Sequence, residues 1–168
     1  MLDTDHLVDL AQIEASTRTG GGAPRQIALR RAASTAYYAV FHRLARHSAE
    51  TFVAAAIWKS RVLFYRAIDH GKDKMRCKRL GQSPLPQDER DFFGINAFSI
   101  ELRTFANNFV ALQDLRHRCD YDPEYKILKA EAQQSVADAR DAIAGIDAAN
   151  ADERNQFLAY ILFGMRPA

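Results

Sequence analysis

Cysteine is scarce in this chain: Cys77 and Cys119 are the only two among 168 residues. Their separation fits neither a zinc-ligand nor a redox spacing, so two reduced thiols are expected. Long apolar runs are also missing. The longest, Phe52 to Trp58, falls far short of the ~20 residues that a membrane span needs. The opening MLDTDHLVDLAQ is acidic and lacks an apolar core segment, which argues against a secretory signal and for a cytoplasmic protein without membrane attachment. Neither sign of charge prevails: 23 Lys and Arg stand against 21 Asp and Glu, a formal net charge of +2. That sum neither demands nor excludes a nucleic-acid partner, because a local patch decides. No His, Cys or carboxylate set has zinc or facial-triad spacing, and no glycine-rich loop follows a strand. No metal and no cofactor are therefore expected. Period-two alternation and hairpin turns are absent, which excludes a sheet.

What the chain has is helical periodicity. Hydrophobic content of 48% beside 26% charged residues suits one globular domain over 1–168. Its core is expected at about 24–145, with a C-terminal helix at about 151–165. The expected architecture is all-α, an antiparallel up-and-down bundle of five or six helices. Residues 5–17 form a first short helix with Leu7, Leu10 and Ile13 as its apolar stripe. The triplet Gly20-Gly21-Gly22 breaks it, and Pro24 opens the long central helix. Lys59 to His70 is helical again, with Gly71 placed to stop it and His70 to close it.

From Gly71 to Arg90 the texture changes to that of a mobile loop, whose cations Lys72, Lys74, Arg76, Lys78 and Arg79 form a solvated face or a phosphate contact. Phe92 to Cys119 reads as one long helix, weakly interrupted at Gly94. Its seam runs Phe98, Leu102, Phe105, Phe109 and Leu112 at steps of four and three. Arg116 takes the next place on that seam, where a charge needs a partner. Asp122-Pro123 ends that helix, and an alanine-rich helix spans Glu124 to Ala149.

The stretch PRQIALRRAASTAYYAVFHRLARH, residues 24–47, organises the rest. Tyr37, Val40, Phe41 and Leu44 make a packing stripe, and alanines between them let a neighbouring helix come close. Arg31, Ser34, Tyr38 and His42 recur at steps of three and four, so they line a second, polar stripe. Arg116, Asp120 and Tyr121 of the later helix are the candidates to meet it. In a functional reading Arg31 and Arg116 fork onto a phosphate and His42 carries a proton, which makes His42 and Arg116 the candidate catalytic pair. In a structural reading Asp120 neutralises an arginine and the tyrosine hydroxyls satisfy buried groups, locking helix to helix.

Two segments carry a family resemblance. Arg31-Ala32-Ala33-Ser34-Thr35-Ala36-Tyr37-Tyr38-Ala39-Val40-Phe41-His42 resembles the second-helix signature of HEPN domains (higher eukaryotes and prokaryotes nucleotide-binding). Arg116-His117-Arg118-Cys119-Asp120-Tyr121-Asp122 resembles the Arg-x-x-x-Asp-Tyr-Asp segment of many bacterial members, and Tyr65 to Gly71 resembles a third, weaker block. The resemblance implies a helical bundle paired as a homodimer through its long helices. It also implies one of two roles. Many members are metal-independent ribonucleases, often toxins of toxin–antitoxin or stress systems. Others bind RNA, a nucleotide or a protein partner, frequently beside a small nucleotidyltransferase. The nuclease motif is an arginine and a histidine with four to six residues between them. None of His6, His42, His47, His70 and His117 has such an arginine upstream. A non-catalytic binding module is the expected role, with a divergent ribonuclease or a purely structural, partner-capping subunit as alternatives.

Overall fold

A computed structural model describes residues 3–17, 25–53, 58–66 and 68–165, without the side chains of Trp58 and Phe64. The Gly20–Gly22 triplet and Pro24 lie outside the described residues. Among those described, the chain is all-helical: α1 (Thr4–Ser16), α2 (Gln26–Phe52), α3 (Trp58–Arg66), α4 (His70–Leu80), α5 (Gln87–Phe93), α6 (Ile100–Tyr121), α7 (Lys129–Ala148) and α8 (Ala151–Phe163). No helix among them is long and apolar enough to cross a membrane.

The long α2 lies at the centre, with α1, α3, α6, α7 and α8 packed against it. Its alanines Ala32, Ala33, Ala36 and Ala39 are fully buried beside Tyr37, Val40 and Leu44. Small side chains on that face allow several helices to approach one axis. The seam on α6 packs as its spacing predicts, since Phe98, Leu102, Phe105, Phe109 and Leu112 are all buried. Phe157, Leu158 and Ile161 of α8 join the same core.

Several expectations are corrected here. Among the described residues the helices number eight rather than five or six, because the segment expected as a loop contains α4 and the start of α5. Gly71 does not end a helix. Asp69 instead caps a new one, its Oδ1 accepting from the Gly71 and Lys72 amides at 2.9 and 3.0 Å. Gly94 is a full stop rather than a weak interruption: at φ 67° it takes the left-handed conformation that ends α5, and α6 begins only at Ile100. The helix expected from Glu124 starts at Lys129. On α1 the buried stripe is Thr4, Val8, Ala11 and Ala15, leaving Leu10 and Ile13 exposed. Close packing on the alanine faces selected the small side chains and turned the large ones outward.

Gly145 marks where α7 meets α6. A β-carbon there would sit 2.6 Å from the Glu101 carbonyl oxygen, a backbone atom that cannot swing away. Gly145→Ala is expected to destabilise the fold by about 1–2 kcal/mol, after the helix-propensity gain of alanine is set against the overpacking. The urea midpoint would fall with an unchanged m-value.

Candidate functional site

Ser34, Tyr38 and His42 succeed one another at steps of four on α2; the first two meet the last turns of α6, and His42, beside Tyr38, meets α3. Arg116 donates from Nη2 to the Tyr38 hydroxyl at 2.7 Å and pairs through Nε with Asp120 Oδ2 at 2.7 Å. The other oxygen of Asp120 accepts from Ser34 Oγ at 2.5 Å. The guanidinium lies between two rings, 5.4 Å from the Tyr38 centroid and 5.2 Å from that of Tyr121. Partial burial opposes its charge. The Tyr38 hydroxyl, and then Asp120, outweigh this and hold the arginine more firmly cationic than usual.

The end of α6 is set by α2 itself. Arg30 donates to the Cys119 carbonyl at 2.6 Å and to that of Asp122 at 2.5 Å. One turn earlier, Gln26 clasps both the amide and the carbonyl of Ile127. Asp120 and Tyr121 are thereby held opposite Ser34 and Tyr38.

Arg31 does not join them. It is exposed and pairs with Glu14 of α1 at 3.1 Å, and Thr35 donates to the same carboxylate at 2.9 Å. The α1 carboxylate captures Arg31 although its helical angle matches the polar stripe. The remaining candidates, Ser34, Tyr38, His42, Arg116, Asp120 and Tyr121, form one cluster.

The structure adds residues that the spacing on α2 did not reveal. Tyr65 of α3 hydrogen-bonds His42 Nδ1 through its hydroxyl, and the two rings stack 5.4 Å apart. His70, expected to close a helix, opens α4. Its Nδ1 bonds the Tyr37 hydroxyl at 2.6 Å, and its ring stacks on Phe41 at 4.0 Å. Gln113 of α6 donates to the His70 carbonyl at 2.9 Å. A signal did exist, because both Tyr65 and His70 belong to the weak third block of the resemblance.

Burial lowers the pKa of both imidazoles. Nearby His70 adds to this at His42, and the Arg116 charge adds to it at His70. Both rings are therefore neutral near pH 7. Burial also pushes the Tyr65 hydroxyl up to about 12. Among the described residues neither Nε2 atom and not Nη1 of Arg116 makes a hydrogen bond. The site thus offers a cation, two neutral imidazoles and flanking tyrosines to whatever it meets. Its chemistry suits a phosphate and groups that exchange protons beside it.

The basic run contributes less than its composition suggests. Lys74 pairs with Asp114, Arg79 with Glu89, and Arg76 donates to the Ile161 and Leu162 carbonyls at 2.6 and 3.0 Å. Only Lys72 and Lys78 are left largely to solvent. Most of α4's charge holds the fold together. His117 is exposed and rests beside Tyr121, ring to ring at 5.0 Å. Among the described residues no group of three or more His, Cys, Asp or Glu is placed to hold a metal ion.

No protein-family model, no curated protein and no solved structure matches this chain.

Proposed function

We propose that this chain is a HEPN-like, non-catalytic module that binds RNA through the Arg116 face. The observation that carries the reading is the guanidinium held between the Tyr38 and Tyr121 rings with Nη1 free. Such an arrangement meets a phosphate with a forked cation and offers an exposed ring, Tyr121, for a base to stack on. The same proposal includes a cytoplasmic setting, a homodimer, and a partner such as a small nucleotidyltransferase.

Binding of a short single-stranded RNA is expected to weaken steeply as salt rises. Arg116→Ala and Tyr121→Ala are each expected to weaken it about tenfold or more, from the ~1–3 kcal/mol of a stacked base or forked contact. Arg116→Lys recovers little, because a lysine keeps the charge but loses the fork and the stack. Fluorescence anisotropy at low and moderate ionic strength measures all four proteins. Binding that ignores salt and both alanine variants would refute the reading.

A second reading has an observation of its own: two neutral imidazoles on different helices, each with a free Nε2, beside a fixed cation. In that set one neutral imidazole can take the proton of a ribose 2′-hydroxyl, and the imidazolium so formed can return it to the leaving oxygen. The other imidazole can hold the strand, and Arg116 can stabilise the phosphorane. If the set acts so, RNA is cleaved in EDTA and His42→Ala and His70→Ala each abolish cleavage. Equal cleavage by all three proteins, or none by any, removes this reading.

A further inference from the structure

Tyr37 is completely buried, and the one hydrogen-bond partner of its hydroxyl among the described residues is His70 Nδ1, at 2.6 Å. Burial holds that hydroxyl far above its ordinary pKa, so it keeps its proton. A proton on a buried hydroxyl needs an acceptor within the protein, where no solvent reaches it. Asp73, whose charge is felt at the same hydroxyl, makes no hydrogen bond to it. The hydroxyl therefore donates to Nδ1. A neutral imidazole carries one ring N–H, and with Nδ1 accepting, that hydrogen stands on Nε2.

The His70 ring is held in this orientation. It stacks on Phe41 with centroids 4.0 Å apart and planes 15° off parallel. Gln113 donates to the His70 carbonyl at 2.9 Å, and Asp69 caps the helix that His70 opens. His70 is itself exposed, so with Nδ1 committed to the interior the Nε2–H is the group left for a guest. Burial, and then the Arg116 charge, oppose an imidazolium here. His70 thus supplies a donor without a charge, near a fixed cation.

His42 differs. Its Nδ1 meets the Tyr65 hydroxyl, but Tyr65 is only half-buried, so its bond does not fix which group donates. The bond at His42 leaves both tautomers open. The bond at His70 leaves one.

We propose that Tyr37 is a positioning residue that sets His70 as the Nε2–H tautomer, so that His70 gives a neutral hydrogen bond to a phosphate oxygen of RNA. Of the two imidazoles, His42 is then the one free to accept a proton. The phosphate is taken from the RNA binding proposed above, whereas the tautomer is read from the Tyr37 bond alone.

NMR of the ring nitrogens in the histidine-labelled full chain reads the tautomer without any ligand, the His70 signal being the one lost in His70→Asn. At about pH 8, where both rings are neutral, His70 is expected to show a protonated Nε2 and a bare Nδ1. Tyr37→Phe is expected to turn that signal into an average of both tautomers. A bare Nε2 or an averaged signal in wild type overturns the proposal, and so does a Tyr37→Phe signal identical to it.

Anisotropy with the single-stranded RNA separates the donor from the fold. An asparagine amide reaches only the place of Nδ1, and a glutamine amide that of Nε2. His70→Asn is expected to keep the Tyr37 bond and weaken RNA binding about three- to tenfold. His70→Gln recovers most of that loss, at some cost in stability. The salt slope is unchanged in His70→Asn, whereas Arg116→Ala reduces it by about 0.7. Equal binding by the two His70 variants, or a slope that falls in His70→Asn, overturns the neutral donor. Should Tyr37→Phe fail to fold, the wild-type signal and the His70 pair still decide. A wild type with the Nε2–H signal that binds no RNA overturns the function proposed above and upholds the tautomer.

Discussion

Arg79→Met is expected to destabilise the fold by about 3–5 kcal/mol, far more than a surface arginine normally would. The reason is its partner. Glu89 is fully buried at the meeting of α4, α5 and α8, and its Oε2 accepts from Arg79 Nη2 at 2.7 Å. Arg79 Nε and the Tyr160 hydroxyl both donate to Oε1. Burial works to raise the Glu89 pKa, but Arg79 and then Tyr160 outweigh it and hold the carboxyl below its usual range. Without the arginine a carboxylate stays buried with one neutral donor.

The converse change is milder. In Glu89→Gln the Arg79 side chain, 40% exposed, swings into water, so a loss of about 1–3 kcal/mol is expected. The double variant Arg79→Met with Glu89→Gln should be more stable than Arg79→Met alone. Urea titration of the four proteins decides it, and a double variant less stable than either single would contradict the account.

Asp73 is expected to make the protein less stable as pH rises through neutrality, the opposite of the usual carboxylate effect. This residue of α4 is 1% exposed, and its Oδ2 has no hydrogen-bond partner among the described residues. Burial raises its pKa to about 7, with Arg76 and Lys72 opposing and Asp69 reinforcing. Facing it are Tyr37 from α2 and Cys77 from its own helix, neither of which carries a compensating charge near neutral pH. The folded state therefore keeps a proton that the unfolded chain releases near pH 3.8. Stability from this group is complete below that value, declines as pH rises, and is gone above about 7. The full swing is at most about 4 kcal/mol, from ~1.4 kcal/mol per pKa unit.

Glu89 and Asp147 act in the other direction. Their folded pKa values are depressed, so their contribution is present above the ordinary carboxylate range and lost as pH falls through the folded values. The two trends oppose each other: stability from Glu89 and Asp147 grows as pH rises through the carboxylate range, while that from Asp73 declines from there to about 7. Asp73→Asn should have little effect at about pH 4 and raise stability at about pH 8.5, flattening the profile. Denaturation at the two pH values measures this, and parallel profiles for variant and wild type would remove Asp73 as the cause.

Periodicity exposed the parts of this fold that rest on large side chains repeating at helical steps. The Tyr37 stripe and the Phe98 to Leu112 seam were legible for that reason. Where small residues do the packing, the same rule misleads. Leu10 and Ile13 are apolar at a plausible spacing and still face outward, since Val8, Ala11 and Ala15 let α1 lie closer to α2. Punctuation was ambiguous at Asp69-His70-Gly71, where glycine reads as a stop and aspartate as a cap. The cap prevailed, and with it came α4 and the second imidazole. At the site, helical angle correctly grouped Ser34, Tyr38 and His42. It could not foresee Arg31 turning to Glu14, because that depends on where a different helix places its carboxylate. Most of the basic run's charge was invisible as fold-stabilising for the same reason: Asp114 and two carbonyls of α8 are distant in sequence, and Glu89 belongs to a separate helix, α5.

The clasp of Arg30 and Gln26 on the chain beyond α6 bears on the RNA binding proposed above. Because the turn after Tyr121 is already tied to the central helix, the surface proposed to meet RNA exists in full before any encounter. Little ordering entropy is then spent at contact. Association with such a surface is governed by approach and charge, and dissociation by how well the guest fits a shape that does not adjust to it.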